Sequence, residues 1–235
     1  MNNVLELDLS EHQGRVFVTT DIHGHFDLLD GKMGESTFDV GKDLIVCAGD
    51  ICDRGPHSDW VLDYLNEPWF LFTRGNHEQM VVDYYESLAL DIPEHFNTAA
   101  RLLYENGGDW YFDLTPKKQG DIYQSFKSLP LGIELKFENA KVGVVHAQCP
   151  FSEWDTFKQM AWEEAEAAAL WARSKYDHPK RFDDVQGVDY LLSGHIPTSS
   201  GSPEWVGNQL YLDLGSFFRG TLGFLQIAEN GRCLL

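Results

Sequence analysis

Short apolar runs alternate along the chain with longer, more polar stretches. The clearest runs occupy residues 15–20, 43–48, 69–73, 141–145 and 190–193. Near-continuous apolar runs of about four to eight residues are typical of strands buried on both faces. Stretches with helical composition lie between them, at 57–66, 79–88 and, most clearly, 157–175. Strands that alternate with helices in this way predict an α/β fold.

The C-terminal stretch 208–226 predicts two further strands, around Gly215 and Gly220, which we expect to join a sheet in antiparallel orientation. No internal repeat and no Pro/Gly/Ser-rich linker divides the 235 residues. A single domain over residues 1–235 is therefore the expected organisation.

The charge balance excludes several classes of function. The chain has 18 Lys and Arg against 37 Asp and Glu, a formal net charge of −19. Such a chain repels nucleic-acid backbones and anionic membranes, so we expect neither as a partner. An anionic substrate would need a local patch of positive charge from arginines or metal ions.

The N-terminus is polar and acidic, unlike a signal peptide, and no apolar stretch approaches the length of a membrane span. The four cysteines show no CxxC spacing, and Cys47 lies within an apolar run, as a reduced and buried thiol would. These features favour a cytoplasmic location.

Polar residues follow the first three apolar runs directly. They form the blocks Asp21-Ile-His23-Gly24, Gly49-Asp50-Ile-Cys-Asp53-Arg54-Gly55 and Arg74-Gly-Asn76-His77-Glu78. Each block alone is weak evidence: a D-x-H-G sequence is common by chance, and Asp53 with Arg54 could form a surface ion pair. Together they are stronger, because successive blocks are separated by about 30 residues, roughly one strand–helix–strand unit. Three successive units would bring their polar ends to one edge of a sheet.

Histidines follow two further apolar runs and complete a set of metal-ligand types. The set is Asp21, His23, Asp50, Asn76, His146 and His195. Imidazole, amide and carboxylate ligands without a thiolate suit Mn, Fe or Zn in a catalytic site. Six protein ligands are too many for one ion with an open position, but they suit two ions that share a bridging carboxylate. The alternative is a set of unrelated polar residues at strand ends.

On these three blocks, in this order and at this spacing, the sequence resembles the metallophosphoesterases of the phosphoprotein phosphatase family. Further matching segments are Asn106-Gly-Gly-Asp-Trp110, His146-Ala147, Pro150-Phe151, Gly194-His195 and Tyr211-Leu-Asp213. The resemblance is strongest to the bacteriophage lambda-type serine/threonine phosphatases and their bacterial relatives, and it runs from Asp21 almost to the C-terminus. It implies two packed mixed β-sheets flanked by helices in αββα layers, with the site at the C-terminal ends of strands.

The resemblance also implies a role for each site residue. One metal ion would be held by Asp21, His23 and Asp50, and a second by Asp50, Asn76, His146 and His195. His77 would be the general acid and Asp53 the carboxylate that orients it. Arg54 and Arg74 would bind the substrate phosphate. A third arginine in this family follows a tryptophan by two residues, which Trp171-Ala-Arg173 matches; a surface arginine at a helix end is the alternative for Arg173.

The function implied is hydrolysis of phosphoserine and phosphothreonine in proteins by direct attack of a metal-bridging hydroxide, with phosphotyrosine as a further substrate to consider. The expected cofactors are two divalent ions, Mn²⁺ foremost, with Fe and Zn as alternatives. The expected partner is a phosphoprotein or phosphopeptide, and the expected state is a monomer. Two other functions are open: a symmetrical dinucleoside tetraphosphate hydrolase, and a non-catalytic module that binds phosphopeptides. The second is disfavoured because every expected ligand and the His77–Asp53 pair are present.

Overall fold

Two mixed β-sheets, one of six strands and one of five, form the centre of the computed structural model, which describes residues 3–90, 92–178 and 183–235. The strands are β1 (Val4–Asp8), β2 (Arg15–Thr19), β3 (Leu44–Cys47), β4 (Phe70–Phe72), β5 (Gly132–Lys136), β6 (Lys141–Val145), β7 (Tyr190–Ser193), β8 (Glu204–Val206), β9 (Gln209–Tyr211), β10 (Phe224–Glu229) and β11 (Arg232–Cys233). The α-helices are α1 (Phe26–Glu35), α2 (Val61–Leu65), α3 (Asn76–Ser87), α4 (Pro93–Glu105), α5 (Asp109–Phe112), α6 (Pro116–Ser128), α7 (Trp154–Gln159), α8 (Trp162–Trp171), α9 (Ser174–Asp177) and α10 (Ser216–Arg219). A short 3₁₀ helix, Ser58–Trp60, precedes α2.

The five-stranded sheet has the order β11-β10-β2-β3-β4, and the six-stranded sheet has the order β1-β5-β6-β7-β9-β8. In the first sheet β2, β3 and β4 are parallel, while in the second β6, β7 and β9 are parallel. The C-terminal ends of parallel neighbours lie at the same edge of a sheet. Each sheet therefore offers one edge at which several strand ends meet.

Alternate residues of the strands pack on opposite faces of each sheet. In β2, Phe17 packs against the helices outside the five-stranded sheet, whereas Val16 and Val18 belong to the core between the two sheets. Val142 and Val144 of β6 reach the same central core from the other sheet. The predicted α/β fold with two packed mixed sheets and flanking helices is confirmed.

The stretch of helical composition over 157–175 is helical, but as three separate helices. The backbone is extended at Met160 and Ala161 and again at Ala172, which divides the stretch into α7, α8 and α9. The breaks allow α7 and α8 to bury separate residues, Trp154 and Leu170 among them, in one cluster against the six-stranded sheet. Helix-forming composition cannot reveal such breaks, because packing on the sheet decides them.

The C-terminal prediction is correct for one strand and wrong for the other. Strand β10 pairs antiparallel with β2 as expected, but β9 pairs parallel with β7 and is antiparallel only to β8. Gly215 and Gly220, with φ of 85° and 64°, flank the short helix α10 and are not strand residues.

All four cysteines are buried and free, which confirms the prediction for Cys47. None of the helices in the described ranges is long and apolar enough to cross a membrane.

Candidate active site

The predicted ligands converge from both sheets. Asp21 follows β2, Asp50 follows β3, and Asn76 begins α3 after β4, so the five-stranded sheet supplies these three as the spacing predicted. His146 and His195 follow β6 and β7 of the six-stranded sheet. The site therefore lies where the C-terminal edges of two packed sheets meet.

The backbone at this place is unusual. Among the described residues, eight non-glycine residues have positive φ, and six of them belong to the predicted site: Asp21, His23, Asp50, Asp53, Arg54 and His195. This conformation is uncommon for residues with a Cβ atom and costs on the order of 1 kcal/mol each. Such residues persist only where the surrounding structure holds them, and they cluster at functional sites.

The carboxylate of Asp50 lies between two groups of side chains. Its Oδ1 is 3.4 Å from Nε2 of His146, while its Oδ2 is 3.8 Å from Nε2 of His23 and 3.8 Å from Nε2 of His77. The two oxygens therefore face different neighbours. A carboxylate in this position can offer one oxygen to each of two groups of ligands, a first and a second centre.

The first centre contains His23 and Asp21, whose Oδ1 is 4.0 Å from Nε2 of His23. In the second centre, Oδ1 of Asn76 is 2.8 Å from Nε2 of His146 and 3.0 Å from Nδ1 of His195. Both centres are buried: Asp21, His23, Asn76 and His146 are each at most 5% exposed.

Backbone carbonyl groups orient two of the histidines. Nδ1 of His23 is 3.0 Å from the carbonyl oxygen of Cys52, and Nδ1 of His146 is 2.7 Å from that of Ala48. Because a carbonyl oxygen can only accept, Nδ1 carries the proton in each ring. Each Nε2 then directs its lone pair into the site, as in metal-ligating histidines.

Burial shifts the pKa values of these groups toward their neutral forms. It raises the pKa of Asp21 and of Asp50 well above the usual carboxyl range. It lowers the pKa of His23 and His146, and together with the charge of Arg173 it lowers that of His195 to about 4. Neutral imidazole is the ligating form, and a bound cation would restore the ionised carboxylates.

The donor set fits divalent metal ions. Two groups of three donors lie with their atoms within 4.8 Å of one another: His23, Asp50 and His77 in one, and Asp50, His146 and His195 in the other. All donors are nitrogen or oxygen, as Mn, Fe and Zn accept in catalytic sites.

His77 differs from His23 in what supports its ring. Its Nδ1 is 2.7 Å from Oδ2 of the fully buried Asp53. The Nδ1 of His77 therefore faces a carboxylate, whereas that of His23 faces a backbone carbonyl. Burial raises the pKa of Asp53 to about 7. Nε2 of His77 is buried and has no hydrogen-bond partner, so it can offer or accept a proton within the site.

Comparison with known proteins agrees with this geometry. The family model described as calcineurin-like phosphoesterase matches residues 14–199. The chain belongs to this family. It is therefore a metallophosphoesterase, a hydrolase that works with divalent metal ions.

Relatives support the assignment over nearly the whole chain. Serine/threonine-protein phosphatase 2 of Escherichia coli (strain K12) is 33% identical over 223 residues, covering 93% of this chain and 95% of the relative. Serine/threonine-protein phosphatase 1 of Salmonella typhimurium is 31% identical over 215 residues, covering 90% of this chain and 91% of the relative.

Solved structures support the fold alone. A proposed diadenosine tetraphosphatase superposes with a TM-score of 0.64 at 20% identity, covering 96% of this chain and 98% of that chain. A serine/threonine phosphatase from Saccharomyces cerevisiae superposes with a TM-score of 0.60 at 19% identity, covering 89% of this chain and 70% of that chain.

The three predicted phosphate-binding arginines of this phosphoesterase have different surroundings. Arg54 reaches the metal-ligand cluster: its Nη1 is 2.9 Å from Nε2 of His23, and its guanidinium lies 4.6 Å from the ring centre of Phe217. Arg173 is exposed just before α9, and its charge helps to lower the pKa of His195. Both arginines are therefore near the ligands.

The structure does not bring Arg74 to this cluster, contrary to the expectation. Its guanidinium donates to Oε1 of Gln79 at 2.8 Å and to the carbonyl oxygen of Lys127, and it lies 4.4 Å from the ring centre of Trp162. Arg74 and these three neighbours line a separate cavity of about 440 Å³ beside α3 and α8. The motif fixes the backbone position of this arginine, but packing against α6 and α8 decides where its side chain lies.

Two residues that support the site received no role in the sequence analysis. The carboxylate of Glu78 is fully buried and accepts hydrogen bonds from the backbone N–H groups of Asp50, Ile51 and Gly75 at 2.7–2.9 Å. Its bond to the N–H of Gly75, the N-cap of α3, is the glutamate half of a capping box, and the glycine has no side chain to complete it or to reveal it in the sequence. Trp110 donates from Nε1 to Oδ1 of Asp53 at 2.7 Å, a contact that no local pattern indicates.

Proposed function

We propose that this phosphoesterase is a metal-dependent phosphomonoesterase that hydrolyses phosphoserine and phosphothreonine in proteins. The observation that carries the proposal is the Asp50 carboxylate, whose two oxygens face two separate groups of nitrogen ligands. The bacterial relatives align with this chain over more than nine-tenths of their own length, and their names support the choice of substrate.

The metal ligands are proposed as the resemblance implies. Asp21, His23 and Asp50 would hold one divalent ion, and Asp50 would share in holding the second. The other ligands of the second ion would be Asn76, His146 and His195. When bound, two such ions supply Lewis-acid activation of water and neutralise phosphoryl charge. We propose Mn²⁺ as the native metal, since mixed imidazole and carboxylate donors suit it.

Arg54 and Arg173 would bind the phosphoryl oxygens of the substrate. A planar guanidinium can donate two parallel hydrogen bonds to such oxygens, which a lysine cannot do. The two arginines give the site a local positive charge within a chain of net charge −19. Arg74 has no part in this proposal, because its guanidinium is bound elsewhere.

His77 would protonate the departing oxygen of serine or threonine. The alkoxide of these residues is very basic, so a proton donor at that oxygen lowers the barrier substantially. Nε2 of His77 is the available atom, and Asp53 on the far side would orient the ring through Nδ1. The substrate would be a phosphoprotein or phosphopeptide, hydrolysed by a cytoplasmic monomer.

The first experiment measures hydrolysis of p-nitrophenyl phosphate by chelator-treated protein before and after addition of Mn²⁺. We expect activity only after the metal is restored. Folded protein that is inactive with every divalent ion would overturn the proposal, and retained binding of a phosphopeptide would then favour the non-catalytic module.

The second experiment decides the substrate. The metal-loaded enzyme is assayed with a phosphoserine peptide and with diadenosine tetraphosphate, and kcat/KM is compared. We expect the peptide to be preferred. A large preference for the dinucleotide would replace protein phosphatase activity with dinucleoside tetraphosphate hydrolysis.

A further inference from the structure

The segment 107–110, which runs from the loop after α4 into the first turn of α5, contacts the Asp53–Arg54 dipeptide at two points. Nε1 of Trp110 donates to Oδ1 of Asp53 at 2.7 Å, and the backbone N–H of Arg54 donates to the carbonyl oxygen of Gly107 at 3.1 Å. One contact is made by a side chain and the other by the backbone. This segment thus contacts both residues of the dipeptide.

The dipeptide needs such support. Asp53 and Arg54 both have positive φ, 68° and 69°, which is uncommon for consecutive residues with side chains. Gly107 is shaped for the contact: a Cβ atom there would lie 2.7 Å from the backbone nitrogen of Arg54, and its φ is +90°. Only glycine allows this close approach.

From these contacts we infer that Trp110 is a positioning residue for the His77–Asp53 pair. The inference rests on the proposed function, in which His77 protonates the leaving group. A carboxylate can rotate about its Cβ–Cγ bond. With the indole N–H on Oδ1, the other oxygen, Oδ2, points at Nδ1 of His77 at 2.7 Å.

The indole is suited to this task. Trp110 is half-buried and carries its N–H on a rigid ring that packs edge-on against Tyr111, with 5.7 Å between ring centres. Asp53 is fully buried, so its oxygens depend on protein donors. The neighbouring thiol of Cys52, itself a weak donor, is directed at Oε1 of Glu78 at 3.7 Å.

The test compares Trp110→Phe with Trp154→Phe. Trp154 is a matched control because it is buried and donates its Nε1–H to a buried carboxylate, Oε2 of Glu134, at 2.8 Å, outside the site. Each metal-loaded variant is assayed for kcat and KM on a phosphoserine peptide and on p-nitrophenyl phosphate. The p-nitrophenolate group leaves without protonation, so it does not need His77.

We expect Trp110→Phe to lower kcat on the phosphoserine peptide about tenfold, the value of one hydrogen bond to a charged group. Its kcat on p-nitrophenyl phosphate and both KM values should stay within about twofold of wild type. Trp154→Phe should show no difference between the two substrates. A role of Trp110 in folding alone would lower both activities equally.

Equal losses on both substrates, no loss, or the same selective loss in Trp154→Phe would overturn the inference. Thermal unfolding shows whether each variant is folded. If Trp110→Phe does not fold, β-(3-benzothienyl)alanine at position 110 keeps the ring shape without the N–H, and the same two activities are measured on that variant. A wild-type enzyme inactive on both substrates would remove the proposed function and this inference with it, whereas an active wild type with an unselective variant removes the inference alone.

Discussion

Strand β3 has a buried carboxylate at each end, and the two have opposite environments. Asp43 precedes the strand and accepts hydrogen bonds from the backbone N–H groups of Arg15 and Asp39 and from the Arg15 guanidinium. Burial alone would raise the pKa of Asp43, but these hydrogen bonds hold it below its ordinary value. The protein's own donors stabilise this charge.

Asp50 follows the same strand, and burial together with the negative charges of Asp21 and Glu78 raises its pKa. Its backbone is in the left-handed region, with φ of 54°. The comparison teaches that burial of a carboxylate does not reveal its role. Asp43 is paired with a cation of the chain, whereas Asp50 is arranged so that a cation from outside would stabilise it.

The largest expected effect is that of Asp50→Asn. We expect kcat on any phosphomonoester to fall by about a thousandfold or more, because the residue shared by both centres is lost. Stability of the metal-free protein should not fall, because burial disfavours the charge of this carboxyl and a neutral amide of the same shape replaces it. Steady-state kinetics, metal content and thermal unfolding in chelator check this; full metal occupancy with retained activity would show that Asp50 is not shared.

The substitution His77→Asn should have the next largest effect. We expect turnover of a phosphoserine peptide to fall by about 10²–10⁴-fold, because the leaving alkoxide loses its acid. Turnover of p-nitrophenyl phosphate should fall much less. Rates on the two substrates are the measurement, and an equal loss on both would contradict the general-acid role.

Asp43→Asn tests the other end of β3. It leaves Arg15 without its charged partner, and we expect a loss of about 2–3 kcal/mol in the free energy of unfolding. kcat per folded molecule should be unchanged, the reverse of the Asp50 result. Urea unfolding followed by activity assays checks both. Unchanged stability would mean that Arg15 and Asp39 find other partners.

Glu204→Gln should have the smallest effect, seen only in acid. The phenol of Tyr176 and donors of Ser200 lower the pKa of Glu204 to about 2. A lowered pKa means that this carboxylate stabilises the fold above about pH 4.5 and that its contribution is lost as the pH falls toward 2. Wild type should lose slightly more stability than the variant across that range, well under about 1 kcal/mol since the group is near the surface. Melting temperatures between pH 6 and pH 2 measure the difference, and parallel curves would contradict it.

Much of the candidate site could be predicted because its ligands lie at strand ends. A buried strand is readable from its apolar run, and the residues after it emerge at the sheet edge whatever the rest of the chain does. Asp21, Asp50 and Asn76 follow three parallel neighbours for this reason. The α/β class follows from the same alternation.

Other features depended on contacts between distant parts of the chain. Nothing local indicates that His146 and His195 come from a second sheet, that the guanidinium of Arg74 turns toward Trp162, or that Trp110 reaches Asp53 across 57 positions. Backbone placement at a strand end is set by neighbours in sequence. The direction of a long side chain is set instead by whichever helix packs beside it, and that is known only once the chain has folded.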